Sequence, residues 1–403
     1  MTGAGVEPLR LGVIGLGRAF MLMLPTLLQH PLVRLVAASD PREEARRQVV
    51  RDFSTPDQAA QAYECVEGLC ADANVEALYI ASPHQFHVAH VRLAARHGKH
   101  ILVEKPMALT LADCETMIAA AREGGVHLMV GHSHSFDLPY LHAAALIRSG
   151  RFGQPRMITA TNYTDFLYRP RRPEELDTAQ GGGVVFSQGA HQVDVVRLLA
   201  GGMARTVRAV TGRFDPARPT EGAYQAFLTF DDGASAMLSY SGYGRYDSDE
   251  QMGWIGELGQ RRGPESYGAA RRALAAIASP EAEAALKNGR AYGLATASAA
   301  AAPVAHNHFG PVLVCCDGAD LRPLADGVMI YEDERRWLAP LPAPQVPRAE
   351  VIDELHAAVR RNIAPLHSGA WGMATLEVCL AILESARTGR EVALRHQVAP
   401  GIG

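Results

Sequence analysis

At 403 residues the chain is long enough for two domains with complete cores and too long for one ordinary domain. Its formal net charge is −4 with both signs well mixed, which argues against a nucleic-acid footprint or a polybasic membrane patch. Apolar segments stop well short of the roughly 20 residues a bilayer span requires, and MTGAGVEPLR lacks the apolar stretch of a signal peptide, so a cytoplasmic protein acting on small molecules is expected. The six cysteines, at 65, 70, 114, 315, 316 and 379, form no CxxC pair and are expected to be reduced, mostly buried apolar residues.

Over the first 130 or so residues, short apolar runs alternate with amphipathic stretches, the rhythm of βαβ units around a parallel sheet. LRLGVIG, RLVAASD (34–40), EALYIAS (76–82), HILVE (100–104) and HLMVG (127–131) read as strands, and LADCETMIAAARE as one of the helices between them. Beyond about residue 134 one helix is followed by runs with period-2 alternation, RMITATNY, AYQAFLTF and ASAMLSYSGY, which predict a largely antiparallel, open sheet in an α+β domain. The expected division is 1–133 and 134–403. Residues 260–306 interrupt it, where RRALAAIASPEAEAALKNGR and the low-complexity ATASAAAAP predict a helical excursion with a mobile linker and no assigned chemistry.

The first motif is GLGRAF, residues 15–20, directly after the first strand and opening a helix. Gly15 allows the tight turn, Gly17 lets backbone approach a pyrophosphate, and the N–H groups of Arg18, Ala19 and Phe20 at the helix start would bind phosphate. A plain strand-helix turn would use the same glycines, and Phe20 stands at the third small position. Asp40 ends the second strand 23 residues after Gly17, close to the ~20-residue spacing at which a carboxylate accepts hydrogen bonds from ribose hydroxyls. A carboxylate there repels a 2′-phosphate and favours NAD, while the neighbouring Arg42 and Arg46 leave NADP open.

Together GLGRAF, SPHQFH (82–87), GKHILVEKP (98–106) and GGGVVFSQGAHQVD (181–194) resemble the glucose-fructose oxidoreductase and inositol dehydrogenase (Gfo/Idh/MocA) family over nearly the whole chain. SPHQFH, GHSHSFD, NYTDFLYRPRRPEELD, GGGVVFSQGAHQVD and HNHFGPVLV are similar to its phthalate 4,5-cis-dihydrodiol dehydrogenases. The resemblance implies a Rossmann domain followed by an α/β domain, NAD(P) as cofactor with contacts from Ser82, Pro83, His84, His87 and Glu104, and Lys105 of the EKP motif as the catalytic lysine. Chemically, Lys105 follows a parallel strand, where open α/β sheets place ligands, and a partly desolvated ammonium there would stabilise a developing alkoxide. Glu104 is expected to hold it and Pro106 to stiffen the turn, whose peptide is commonly cis in the family. His191 matches the family's histidine near the reacting carbinol and suits proton transfer. The alternative for His191 is a satisfied histidine at the core edge, on one helical face with Val195 and Leu198, with Asp194 either orienting it or pairing elsewhere.

Many family members carry an aspartate where this chain has Ser187, so a carboxylate for sugar hydroxyls is missing and an anionic substrate is favoured. Arg169, Arg171 and Arg172 of YRPRRPEELD would receive its charge through guanidinium forks, unless they pair with Glu174 and Glu175 as a solvated face. Tyr163, with Phe166 and Tyr168, would wall a flat ring. His84, which replaces the family's usual asparagine, and His87, His132, His134, His306 and His308 are assigned hydrogen-bonding roles around cofactor and substrate, His134 beside the substrate, in preference to a metal. The expectation is an NAD(P)-dependent dehydrogenase of a carboxylated cis-dihydrodiol, with a sugar or cyclitol dehydrogenase or a non-catalytic dinucleotide sensor as alternatives. A homodimer or homotetramer through the C-terminal sheet is expected.

Overall fold

The computed structural model describes residues 7–56, 58–294 and 303–401; most of the alanine-rich stretch read as a linker, 295–302, lies outside them. In the first layer the apolar runs form six parallel strands, β1 (Leu9–Ile14), β2 (Val33–Ser39), β3 (Gln61–Tyr63), β4 (Ala77–Ile80), β5 (His100–Val103) and β6 (Leu128–Val130), in the order β3-β2-β1-β4-β5-β6. Helices α1 (Arg18–Gln29), α2 (Glu43–Phe53), α3 (Val66–Ala71), α4 (His87–Arg96) and α5 (Leu111–Glu123) connect them and cover both faces. A doubly wound sheet results, as expected. Its strand ends stay in step: Ala81 N donates to Ile14 O, Glu104 N to Ile80 O and Gly131 N to Val103 O. The loops after β1, β4, β5 and β6 therefore share one edge.

The second layer is a nine-stranded mixed sheet of β7 (Pro155–Tyr163), β8 (Ala204–Gly212), β9 (Ala223–Phe230), β10 (Ser235–Ser241), β11 (Val312–Cys316), β12 (Asp320–Leu324), β13 (Gly327–Tyr331), β14 (Arg336–Pro340) and β15 (Val392–Ala393). Its pairs are antiparallel except β7 with β10, which is parallel. Helices α6 (Leu138–Arg148) and α7 (Ala190–Ala200) bury one face with Val193, Val196 and Leu199 against Ile158, Leu228 and Leu238. The excursion is helical, with α8 (Ala269–Ala275) and α9 (Pro280–Asn288), the latter capped by Ser279.

The boundary expected at 134 needs correction at the far end of the chain. In α10 (Ala349–Arg361), Val351, Ile352, Leu355 and Ala358 pack with Leu9, Leu11, Phe20 and Met23, because its apolar stripe completes the face of the first sheet that carries α1. The following α11 (Gly369–Thr388) packs on both α5 and β8 and ties the layers together. All six cysteines are free; Cys70, Cys114 and Cys379 are buried, Cys315 and Cys316 half-buried and Cys65 exposed, so half of them are buried where most were expected to be.

Candidate active site

The shared strand edge opens onto the second layer, and the glycine turn lies at its centre. Gly15 has φ +90, and a Cβ there would lie 2.9 Å from Ser82 N, so the turn needs glycine for the close passage of the 82–84 loop. Gly17 has an ordinary φ of −83 and a Cβ there would meet nothing within 4 Å. No protein contact demands glycine at 17, and the open space over its backbone fits the phosphates of a dinucleotide. Arg18 and Ala19 follow at the start of α1. The Phe20 ring is fully buried in the core beneath the turn, which leaves its backbone N–H, the group expected to meet a phosphate, as its only part at the turn.

Asp40 ends β2 beside the turn, but its carboxylate is already filled. It accepts hydrogen bonds from Leu16 N at 2.8 Å, from Arg42 N and Nε at 2.9 Å each, and from Arg42 Nη2 at 3.1 Å. Four donors use the lone-pair directions of a carboxylate, so here Asp40 organises the turn and holds Arg42 instead of offering a free edge to ribose. Arg46 donates to the carbonyls of Asp40 and Pro41. His87 is likewise structural: buried, with ring nitrogens 2.9 Å from Ser82 O and 3.1 Å from Met107 O, it joins the 82–84 loop to the EKP loop. His84 lies against the second layer, its Nε2 3.1 Å from where a Cβ on Gly181 would stand. Ser82 Oγ bonds His90 Nδ1 at 2.9 Å, and Pro83 is exposed.

Lys105 lies two residues past β5 in a cis peptide with Pro106. Its Nζ donates to Ser187 O at 2.7 Å. Glu104, expected to hold it, is bonded to the Tyr79 hydroxyl, and no Glu104–Lys105 ion pair forms among the described residues. Burial pulls the Lys105 ammonium below its usual range; Glu104 and Glu257 oppose this, while Arg348 and Arg171 reinforce it. Gly183, at φ +80 against the Glu221 carboxylate, turns the chain into a π-helical turn, Val185–Gly189, and so delivers His191 to the same edge.

His191 is 7% exposed, and its Nδ1 is buried with no hydrogen-bond partner among the described residues. Its ring lies 4.8 Å from that of His134, 5.3 Å from Phe309 and 6.4 Å from His132. Burial first, then Lys105, His134, His132 and Arg348, hold the imidazole well below its usual pKa, hence neutral. Asp194 does not orient it: that carboxylate is buried against Ser135, Trp371 and Thr375, where it locks α7 to α11.

His134, placed beside the substrate by its sequence context, does face His191. Its Nδ1 bonds Asp137 Oδ2 at 2.6 Å and its Nε2 bonds Glu257 Oε1 at 3.3 Å. Burial alone would lower its pKa, but the two carboxylates outweigh it and hold His134 at about 9. Burial would raise Glu257, yet His134 and Arg169 hold it at about 2. A charged, interlocked His134–Glu257 pair thus faces the neutral His191.

The arginine loop does not converge as expected. Arg171 is buried, stacked 3.6 Å over Phe166 and bonded to Phe166 O at 2.7 Å. Arg172 pairs with Glu174 at 3.1 Å and Glu175 at 3.5 Å, the solvated-face arrangement. Arg169 lies within electrostatic reach of Asp165, Glu257 and Tyr240, the last shared with Arg171; its Nε bonds Asp165 at 2.9 Å, while its Nη groups bond no described residue. The Ser187 hydroxyl is turned onto Gly183 O, and only its carbonyl reaches the site. Tyr163 is half-buried, its ring 6.0 Å from Tyr246, and adjoins Ser248.

Sequence reasoning did not single out Glu257, Asp137, Phe309 or Arg348. Phe309 stands in the flagged HNHF run, and Glu257 in a glycine-flanked turn, GELG, that signals a bend and no chemistry. Arg348 has no local signal at all. His132 Nε2 bonds Asp137 at 3.1 Å, His306 bonds Pro342 O at 2.8 Å and His308 bonds Ile255 O at 2.7 Å, so these rings are spent on the scaffold.

Residues 9–132 match the oxidoreductase family model described as a GFO/IDH/MocA NAD-binding Rossmann fold, and residues 140–261 match the GFO/IDH/MocA C-terminal domain. The chain is 47% identical to the 1-carboxy-3-chloro-3,4-dihydroxycyclo hexa-1,5-diene dehydrogenase of Comamonas testosteroni, over 94% of this chain and 95% of that protein. It is 28% identical to the myo-inositol 2-dehydrogenase of Thermotoga maritima over 62% of this chain and 74% of that one. A crystal structure from Bordetella bronchiseptica RB50 superposes with a TM-score of 0.90 at 41% identity, covering 96% of this chain and 100% of that one. With its glycine turn, Rossmann layer and Lys105–His191 edge, the chain belongs to the Gfo/Idh/MocA family of NAD-binding oxidoreductases.

Proposed function

We propose that this oxidoreductase removes hydrogen from a carbinol of a carboxylated cyclohexadiene cis-dihydrodiol. The carrying observation is the neutral His191 in electrostatic reach of Lys105, both at the strand edge that carries the glycine turn. The nicotinamide, when bound, supplies the hydride acceptor. The substrate hydroxyl would give its proton to the His191 imidazole while Lys105 hydrogen-bonds the developing alkoxide. Loss of hydride and proton leaves a ring ketone that enolises to a catechol, and the aromaticity gained draws the reaction forward. Similarity to the Comamonas testosteroni enzyme supports the substrate class, and the free Nη groups of Arg169 suit a ring carboxylate bound bidentately. No helix among the described residues is long and apolar enough to cross a membrane, and we infer a cytoplasmic enzyme.

The test is a panel of paired dihydrodiols, with and without a carboxylate, followed by NADH absorbance. The carboxylated member of each pair should turn over faster. Lys105→Met should keep NAD⁺ affinity while turnover falls by about two to four orders of magnitude. Steady turnover of inositol or glucose with none of any diol would instead place the chain among the cyclitol and sugar dehydrogenases.

A further inference from the structure

Part of the excursion that carried no chemistry in the sequence lies against the glycine turn. Residues 289–294 leave α9 and cross the β1–α1 turn: Tyr292 N donates to Leu16 O at 3.1 Å, and Arg42 Nη1 donates to Tyr292 O at 3.0 Å. The Tyr292 ring meets Phe20 edge-on at 5.2 Å, and its hydroxyl bonds Asp52. Behind this strap, α9 is pinned to the second layer by Arg218–Glu283 at 2.9 Å and Lys287–Glu175 at 3.0 Å. Arg290, two residues before Tyr292, is therefore delivered to the phosphate turn. Arg348 arrives from another direction, at the start of α10, where the adjoining Pro347 O accepts Thr26 Oγ1 of α1 at 2.6 Å. Arg18 is the first residue of α1.

None of these three guanidinium groups makes a hydrogen bond or an ion pair within 4.0 Å to a described residue. They are near enough to repel: after burial, Arg290 and then Arg348 draw Arg18 below its usual range. Three unrelated segments thus bring unpaired like charges together, an arrangement that costs free energy until an anion joins it. We propose that Arg290 and Arg348 close with Arg18 around the pyrophosphate of the bound dinucleotide, completing from the second layer and α10 the phosphate site that the glycine turn begins. This rests on the dinucleotide reading above and adds residues outside the glycine motif. Guanidinium forks suit the phosphate oxygens, and the strap fixes Arg290 by backbone hydrogen bonds rather than by a flexible loop.

The test is calorimetric titration of the full chain with ADP, which carries the diphosphate, and with adenosine, which does not. Arg290→Met and Arg348→Met should each weaken ADP binding by about ten- to a hundred-fold, the scale of a charge-assisted hydrogen bond, and leave adenosine unchanged. Without nucleotide, either variant should melt no lower than the parent, since a repulsion has been removed, and ADP should raise its melting temperature less. Unchanged ADP affinity in both variants overturns the clasp, as does equal weakening of ADP and adenosine, the mark of a misshapen fold. If Arg348→Met spares ADP and raises KM only for a carboxylated diol, Arg348 belongs to the substrate and not to the pyrophosphate. A parent chain that binds neither ADP nor NAD⁺ overturns the dinucleotide reading itself, whereas binding by the parent that the variants keep sinks the clasp alone.

Discussion

At the scale of the residue, the site depends on charges whose state is set by neighbours distant in sequence. His134 is held at about 9 against an ordinary histidine value near 6.5 by Asp137, three residues on, and Glu257, brought by another element. Because the folded value is the higher one, its stabilisation is full below about pH 6.5 and is lost as the pH rises through about 9. A group this buried should contribute a few kcal/mol. Glu257 is depressed to about 2, so its own contribution is present above the ordinary carboxylate range and is lost as the pH falls toward 2. Urea unfolding of the parent should therefore show a loss of stability between pH 6.5 and 9 that is smaller in Glu257→Gln, where Asp137 alone holds the ring charged. Equal losses in the two proteins would mean that the pair is not ionised as described. The sequence flagged His134 through its dense histidine run, but Glu257 carries no pattern of its own.

At the scale of the element, legibility followed local physics. The strands that form the edge with the glycine turn are short, apolar and bounded by charge or glycine, so β1, β2, β4, β5 and β6 were readable within a residue or two. Strand β3 was not, because a three-residue, partly exposed edge strand has no buried face to mark it. Strands β11–β14 were missed although Asp317-Gly318 and Asp326-Gly327 mark their turns, since their alternation is shallow. The two glycines of the β1–α1 turn look alike in sequence and differ in structure. Gly15→Ala should destabilise the fold by about 1–3 kcal/mol, because its Cβ meets the backbone of Ser82 at a left-handed φ. Gly17→Ala should cost only about half a kcal/mol as an N-cap change yet weaken NADH binding, because its Cβ would fill the space the phosphates need. Thermal melts and NADH fluorescence titrations of both variants separate these outcomes, and normal NADH affinity in Gly17→Ala would remove the phosphate from that space.

At the scale of the whole molecule, the described residues put helices on one face of the nine-stranded sheet only. Helices α6, α7 and α11 bury the inner face, and the outer face should alternate to polar residues if water covered it. Several positions do not: Met157 is 52% exposed, Phe227 41%, Met237 46% and Val210 52%. Three of them adjoin, since Met237 pairs with Phe227 on β9 and with Thr159 on β7, one side chain away from Met157 on the same face. An apolar stripe across three neighbouring strands is costly to leave wet, and a second copy related by a two-fold axis would bury it against itself. We therefore expect a homodimer or a larger even assembly through this face, with about 800 Å² buried per partner in a specific interface of ordinary size. Phe227→Glu combined with Met237→Glu places charge in that contact without touching the inner core. Sedimentation should then show dissociation to monomers with an unchanged circular dichroism spectrum. A parent chain that sediments as a monomer at micromolar concentration would leave the stripe as solvent-facing surface.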